Sequence, residues 1–388
     1  MPFRRATKEL KYFTKVEVSE STARRITEQA GSDQVEVQSK EVEELVEKVP
    51  PSPPGPELQL ISVDGAMVHV VSGDWVEVRT LAIGEVEPTA GKGRTPEPHT
   101  RNLSYFSRLS EASEFNRQAL VEVFRRGSEK AGKVCAVTDG AEWEQKFIDY
   151  HRSDAVRILD FAHAAGKVAE SGRVVLGEDT PEFKEWFSKQ RHALKIGDTD
   201  GVLRRLRRLD KKARGRGRRK KLETIWTSIN YLEKRREMIK YDEFKRLGYP
   251  IGSGCVESAN KLVVESRMKQ AGMRWAPHNV DPMLALRNIA CNDRWEEAWS
   301  QLVRNRLATI SLNHKQPSAT LSDSDLAPPI QQAVSQARQK TDRKSLLELS
   351  DKPRRNTPYR PGADHLWRRM PFGSARYRTP DGFTRPKS

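Results

Sequence analysis

The sequence predicts an α/β fold in which a mixed sheet is covered by helices. Between residues 58 and 109, β-rich and partly alternating segments are separated by turn residues. After residue 110, helical patterns alternate with short apolar runs of strand length. With 388 residues and 36% hydrophobic residues, the chain can fill at least one sizeable core beside polar extensions.

The segment before the first strands predicts two short helices. The first spans residues 6–13, and the second begins at Ser19 or Ser21 and ends at Gly31. This pattern is typical of a helix-turn-helix, either a DNA-reading unit or a plain structural element. A proline-rich linker at 50–56 (PPSPPGP) excludes a helix there and marks the end of this first region, residues 1–50.

The next elements can be assigned in order along the chain. Two strands at 58–71 and 74–87 are joined by a turn at Ser72 and Gly73, which predicts an antiparallel pair. The further elements are a strand at 103–109, a helix at 111–126, a strand at 134–139, a helix at 141–150, a strand at 156–160 and a helix at 161–169. This is the order of an RNase-H-like sheet flanked by helices.

The remaining regions follow from changes in composition. Residues 57–197 form the first part of the core, and residues 198–247 are predicted to be a basic helical insertion. The chain returns to the core through GYPIGSG and a helix from about Cys255 to Ala271, within a region that spans 248–315. Residues 316–388 lack periodicity and are predicted to form a flexible basic tail.

Charge indicates the class of partner. The net charge is +16 and the isoelectric point is near 9.7, which favours a polyanion such as nucleic acid, although a basic solvated surface gives the same composition. No apolar run reaches the roughly 20 residues that span a bilayer, and the first residues do not resemble a secretory signal. We therefore expect a soluble, cytoplasmic protein without a membrane partner. Its three cysteines form no CxxC pair and indicate neither a disulfide framework nor a zinc site.

Three acids stand where strands and a helix could bring them together. Asp64 lies on the first strand, Asp139 ends a buried strand, and Glu257 lies in the first turn of a late helix. Clustered carboxylates suit magnesium or manganese, and two ions about 4 Å apart can clamp a phosphodiester. Each acid also has a plainer interpretation. Both aspartates precede glycine, which fits a hairpin turn at Asp64 and a turn between a strand and a helix at Asp139. Glu257 with Lys261 fits a surface pair.

Asp160 and His163 form an Asp-x-x-His step where a strand ends and a helix begins. Asp160 is a good helix N-cap, and His163 fits a partly buried helical histidine. A metal site built from these two residues alone is not indicated, because no two further ligands stand at a suitable spacing.

A basic run lies inside the predicted insertion. Residues 204–221 contain twelve Lys or Arg and a single Asp, which favours phosphate contacts over a merely solvated face. A second basic stretch follows Glu257, where Trp275 could stack on a base or pack in the core. The residues predicted to contact DNA are Arg204, Arg205, Arg207, Arg208, Lys211, Lys212, Lys261, Arg267, Lys269 and Arg274.

Several stretches together resemble the ISKra-type insertion-sequence transposases of bacteria, within the Mutator-like DDE transposases. They are VDGAMV (63–68), VTDGAEW (137–143), ILDFAHA (158–164), GYPIGSGCVESANKLVVESRMKQAGMRW (248–275) and RNIACNDRW (287–295). The resemblance implies that Asp64, Asp139 and Glu257 are the catalytic triad and hold the metal ions. It also implies that Asp160 and His163 are auxiliary active-site residues. The block at 198–247 corresponds to a helical insertion found in this group.

The function implied by the resemblance is metal-dependent cleavage at the ends of an insertion sequence, followed by strand transfer into target DNA. The expected cofactor is magnesium or manganese, in two ions, and the expected partners are the terminal repeats and the target DNA. A homo-oligomer assembled on DNA is also expected. Family members carry a further N-terminal segment with cysteines, so this chain is expected to be shortened. The alternatives are an RNase-H-like nuclease without strand transfer and a degenerate transposase that only binds DNA.

Overall fold

A five-stranded mixed sheet lies at the centre of the computed structural model, which describes residues 2–88, 98–215 and 217–315. Its strands are β1 (Leu58–His69), β2 (Trp75–Pro88), β3 (Pro98–Arg108), β4 (Lys133–Thr138) and β5 (Val156–Leu159). The strand order is β3-β2-β1-β4-β5. The first three strands are antiparallel, and β4 continues the sheet by pairing in parallel with β1 and β5. The predicted α/β class with a mixed sheet is confirmed.

The β1–β2 hairpin turns where the sequence predicts it. Gly73 lies in the turn with φ +98°, a conformation that glycine adopts without steric cost. Asp64 lies well inside β1, where it pairs with Thr80 of β2. The interpretation of Asp64 as a hairpin-turn residue is therefore wrong.

Helices cover the sheet and connect its strands. They are α1 (Phe3–Thr14), α2 (Glu20–Glu47), α3 (Ala112–Gln118), α4 (Leu120–Arg125), α5 (Glu142–Arg152), α6 (Phe161–Leu176), α7 (Pro181–Lys195), α8 (Thr199–Lys212), α9 (Arg218–Lys234), α10 (Tyr241–Arg246), α11 (Gly254–Ala259), α12 (Ser266–Met268), α13 (Val280–Cys291) and α14 (Trp295–Lys315). A π-helical segment, Asn260–Glu265, joins α11 to α12. The expected continuous helix from Cys255 to Ala271 is thus interrupted and ends at Met268.

The two faces of the sheet bury different sets of helices. Strand residues alternate between faces, so Leu60 of β1 packs with α6, α8 and α9, whereas Ile61 packs with α3 and α5. Toward the carboxyl end of β1, Val68 packs with the π-helical segment and α13. Both faces of the sheet are therefore covered in the described part of the chain.

The N-terminal helices differ from the predicted pair. Ser19 caps the second helix by accepting a hydrogen bond from the Thr22 N–H at 3.0 Å, as expected. The helix does not end at Gly31 and continues to Glu47. Gly31 is required by packing, because a Cβ atom there would lie 2.3 Å from the carbonyl oxygen of Pro282 in α13. The prediction that a short helix ends at Gly31 is wrong, and α2 instead packs along α13.

The predicted insertion is helical in its described residues and packs as part of the core. Ile225 and Ile229 of α9 share one apolar cluster with Val168 of α6 and Leu159 of β5. The predicted flexible tail, residues 316–388, lies outside the described residues. Within the described ranges, no helix is long and apolar enough to cross a membrane.

Candidate active site

One cleft brings together the acids that the sequence singles out. It has a volume of about 160 Å³ and lies where β4 and β5 end, beside β1. Its lining residues are Val63, Asp64, Asp139, Asp160, Ala162, His163, Ser253, Val256 and Glu257. The predicted triad and both auxiliary residues therefore line a common space, although Asp64 and Glu257 are 193 positions apart in the sequence.

Asp64 is held in place by two hydrogen bonds. Its Oδ1 accepts from the Gly65 N–H at 2.7 Å, and its Oδ2 accepts from Asn260 Nδ2 at 2.8 Å. Burial raises the pKa of the Asp64 carboxyl, and the charges of Asp139 and Glu257 raise it further, against these hydrogen bonds. The three acids thus lie close enough for their charges to oppose one another.

Asp139 directly follows β4 in a turn that leads into α5. Its Oδ1 accepts from the Ala141 N–H at 2.9 Å. The Glu144 carboxyl accepts from the N–H groups of Gly140 and Ala141, at 2.9 and 3.0 Å. Burial raises the pKa of Glu144 to about 9, and contact with Asp139 acts in the same direction. Glu144 is a further, unpredicted acid that contacts Asp139, and its position three residues after the Ala141 N-cap was an available signal.

Asp160 caps α6 and also binds the glycine-rich turn. Its Oδ1 accepts from the His163 N–H at 2.6 Å. Its Oδ2 accepts from the Ser253 N–H at 2.7 Å and from the Ser253 hydroxyl at 3.0 Å. The carboxylate is only 4% exposed, so both oxygens are engaged by the protein. The N-cap interpretation of Asp160 is confirmed, and His163 is half-buried on the wall of the cleft.

Glu257 lies in the first turn of α11, and it is the most exposed acid of the predicted triad. The preceding turn is fixed to the core by Asp160 and by a hydrogen bond from the Phe161 N–H to the Ile251 carbonyl at 2.9 Å. The backbone that carries Glu257 is therefore anchored, while its side chain reaches solvent.

Asn260 is a cleft residue that the sequence analysis missed. It is 6% exposed, and its Nδ2 binds Asp64, whereas its Oδ1 is buried without a hydrogen-bond partner among the described residues. It opens the π-helical segment, and π-helical turns occur often at functional sites. Asn260 lies three residues after Glu257, which places both side chains on one helix face. This spacing could have identified Asn260 as a cleft residue from the sequence.

The donor atoms of the cleft suit a hard divalent cation in their chemistry. Asp64, Asp139 and Glu257 supply carboxylate oxygens, and Asn260 adds the unpaired amide oxygen. Across the described residues, however, no three His, Cys, Asp or Glu side chains stand in an arrangement that could hold a metal ion. The cleft therefore gathers suitable donors without placing them at ligand spacing.

The basic residues of α8 fall into two groups. Arg204, Arg208 and Lys211 are exposed and lie at positions i, i+4 and i+7, opposite the apolar face of the helix. We call these three residues the outer row. The other predicted DNA contacts on α8 are bound to side chains of the protein. Arg205 contacts Gln190 at 2.6 Å and Asp198 at 3.1 Å, Arg207 contacts Glu233, and Lys212 contacts Glu182 at 3.3 Å.

The second basic stretch is also divided. Lys261, Lys269 and Arg274 are exposed, and Lys269 pairs with Glu265 at 2.9 Å. Arg267 is instead only 8% exposed, and its guanidinium carbon lies 4.9 Å from the ring centre of Phe3 and 4.8 Å from that of Trp275. Arg267, which the sequence predicts to contact DNA, is instead enclosed by these cation–π contacts. Trp275 is itself packed in the core.

Comparison of the sequence with protein families finds no match, and comparison with curated proteins finds none either. The arguments for function therefore rest on the motifs and on the geometry of the cleft.

Proposed function

We propose that this protein is a metal-dependent DNA transposase whose catalytic core is an RNase-H-like domain. The observation that carries the proposal is the meeting of Asp64, Asp139 and Glu257 in one cleft from three distant parts of the chain. Burial and the charges of Asp139 and Glu257 raise the pKa of Asp64, so the ionised form of this carboxyl is destabilised in the folded protein. Such arrangements are common where acids have a chemical role.

The topology supports the RNase-H-like assignment. Three antiparallel strands continue into two parallel ones in the order β3-β2-β1-β4-β5, and helices cover both faces. Asp64 and Asp139 come from the neighbouring strands β1 and β4, and Glu257 comes from a helix that packs against β1 and β2. The motifs around these acids also resemble those of the ISKra-type transposases.

The protein would hold divalent ions, magnesium or manganese, through Asp64, Asp139 and Glu257. When bound, such ions lower the pKa of an attacking water or 3′-hydroxyl and stabilise the leaving oxyanion. The protein's own groups set the directions of the acids. Asn260 and the Gly65 N–H orient the Asp64 carboxylate, and the Ala141 N–H orients that of Asp139. Asp160 anchors the turn that precedes Glu257.

Charge outside the cleft supports a DNA substrate. The outer row of α8 presents three cations to solvent. Lys261 and Arg274, which follow Glu257 in the sequence, are also exposed. Cations of this kind neutralise phosphates with release of counterions, independently of base sequence. We propose that the terminal repeats and the target DNA are the partners and that a homo-oligomer assembles on them.

The test is an assay of purified protein with duplexes that carry the terminal repeats flanking the encoding element, with magnesium or with EDTA. Magnesium-dependent cleavage followed by joining of the 3′ ends to target DNA supports the proposal. Cleavage without joining indicates a nuclease, and binding without cleavage indicates a DNA-binding protein that has lost catalysis. Either result overturns the proposed strand transfer.

A further inference from the structure

Helix α9 and Arg235, which caps its C-terminus, contact the turn that carries Asp139. The Tyr231 hydroxyl donates to the carbonyl oxygen of Asp139. Arg235 donates to the carbonyl oxygen of Gly140 from Nε at 3.0 Å and from Nη2 at 2.5 Å. Two consecutive carbonyl groups of the turn are therefore bound by side chains that lie 92 and 95 residues away in the sequence.

The two binding side chains support each other. They stand one helical turn apart, and the Arg235 guanidinium carbon lies 3.9 Å from the centre of the Tyr231 ring. Arg235 also donates from Nη1 to the Tyr231 carbonyl at 3.2 Å, and the Tyr231 ring lies 5.9 Å from that of His163 on the cleft wall. The pair is thus a preformed unit and not two independent surface contacts.

The turn itself depends on this close approach. Gly140 has φ +83°, and a Cβ atom there would lie 2.4 Å from Arg235 Nε. Glycine therefore allows both the left-handed backbone and the contact with the arginine. On the other side of the turn, the Ala141 N–H holds the Asp139 carboxylate. The backbone on each side of the Asp139 side chain is fixed, which limits the directions that its carboxylate can take.

We infer that Tyr231 and Arg235 are positioning residues for Asp139, supplied to the catalytic cleft by the basic insertion. This inference rests on the proposed function. It gives α9 two roles, because its first turn contains four cations, at residues 218–221, and its last turns bind the catalytic turn. About 20 Å of helix separates the two ends. The insertion is then part of the catalytic unit and not an accessory that only attracts DNA.

The experiment compares the full-length wild type with Tyr231→Phe, Arg235→Ala, Arg235→Lys and the control Lys234→Ala, an exposed residue of the same helix. The measurements are kcat and KM for cleavage of terminal-repeat DNA, Mn²⁺ affinity by electron paramagnetic resonance, and hydrogen exchange of the amides at 138–142. For Arg235→Ala we expect a kcat reduced about 10- to 100-fold by misplacement of Asp139, with KM changed less than about twofold. Weaker Mn²⁺ binding and faster exchange should accompany it.

The other variants separate positioning from general stability. Arg235→Lys keeps one donor and should recover part of kcat, Tyr231→Phe should show a smaller loss, and Lys234→Ala should match the wild type. Unchanged hydrogen exchange at 138–142 in Arg235→Ala overturns the inference whether or not the protein cleaves DNA. So does a loss confined to KM or to thermal stability. A wild type that neither binds Mn²⁺ nor cleaves, but shows the expected exchange pattern, overturns the proposed function and leaves the backbone contact established.

Discussion

The acidic cleft and the basic helix α8 gather like charges in different ways. The acids of the cleft are far apart in the sequence and meet only because β1, β4 and α11 are assembled in the fold. The cations of α8 are neighbours in the sequence, and the fold separates them into an outer row and a set bound to Gln190, Asp198, Glu233 and Glu182.

The two regions differ in how strongly a cluster of like charges indicates function. A local basic run is present whether or not it has a role, and on α8 the protein uses part of it for internal contacts. Acids that converge from distant positions oppose one another, and burial adds to the effect at Asp64. The cleft is therefore stronger evidence for function than the basic run, and substitutions in the two regions should have different effects.

The largest effect is expected from removal of one acid of the triad. Asp64→Asn, Asp139→Asn or Glu257→Gln keeps the size of the side chain but removes a charge from the cleft. Cleavage and strand transfer should fall by at least about a thousandfold, because the proposed function gives each acid a separate part of one metal clamp. DNA binding, measured by fluorescence anisotropy, should be retained or slightly strengthened.

The charge-matched control for these variants is Glu36→Gln, which alters an exposed acid of α2 paired with Lys40. It should cleave as the wild type does. If Asp139→Asn also cleaves and joins DNA at the wild-type rate, Asp139 is a turn residue and the cleft has no catalytic role.

The next effect distinguishes the two groups of cations on α8. Replacing Arg204, Arg208 and Lys211 with Ala removes the outer row and should make the dependence of log K on log salt shallower by roughly 2 to 3. The matched variant replaces Arg205, Arg207 and Lys212, whose side chains contact protein groups, and should change the slope by less than half as much. Salt titrations of DNA binding measure both. Equal slopes in the two triple variants would show that the outward position of these residues is irrelevant to binding.

A smaller effect, on stability, is expected from replacing Asp160, the acid of the cleft whose two oxygens are bound by the protein. Asp160→Ala removes the cap of α6 and the two contacts with Ser253, and should lower the free energy of unfolding by about 1–3 kcal/mol. Asp160→Asn can still accept at Oδ1 and should lose less. Urea unfolding followed by circular dichroism gives the values. An Asp160→Ala protein as stable as the wild type would mean that these three contacts contribute nothing to the fold.

The smallest expected effect is an increase in stability, whereas Asp160→Ala should decrease it. Asp64→Asn should raise the free energy of unfolding of the metal-free protein at pH 7 by about 1 kcal/mol, since it removes a charge opposed by burial and by Asp139 and Glu257. The single amide oxygen of an Asn at this position can still accept from one of the two donors, the Gly65 N–H or Asn260 Nδ2. The same unfolding experiment, with EDTA present, measures the gain. A variant less stable than the wild type would show that the hydrogen bonds of Asp64 outweigh the repulsion.

Much of the sheet could be predicted from the sequence because its signals are local. Alternating segments around Ser72 and Gly73 gave the hairpin, and short apolar runs gave β4 and β5. The placement of Asp64 and Asp139 at the same cleft follows from their positions on neighbouring strands. Helix α7 was not identified, although Thr180 followed by Pro181 is an ordinary helix start, and Thr180 caps the helix by accepting from the Phe183 N–H at 3.1 Å.

The errors arose where distant packing decides the structure. A glycine is typical of a helix end, but Gly31 lies inside α2, where the close approach of Pro282, 251 residues away, leaves no room for a side chain. Arg267 was placed among the DNA contacts, and its burial was missed because Phe3, one of the two rings that enclose it, is far from it in the sequence. The contact between Asn260 and Asp64 spans 196 residues and was missed for the same reason.

The central claim, that the cleft binds divalent ions for chemistry on DNA, is tested most directly by counting bound ions. Electron paramagnetic resonance titration with Mn²⁺ is made on wild type, Asp139→Asn and Glu36→Gln, each in complex with terminal-repeat DNA. The account predicts about two ions for the wild type and for Glu36→Gln. For Asp139→Asn it predicts fewer ions or much weaker binding. Equal Mn²⁺ binding in all three proteins, or none in the wild type, would contradict the claim.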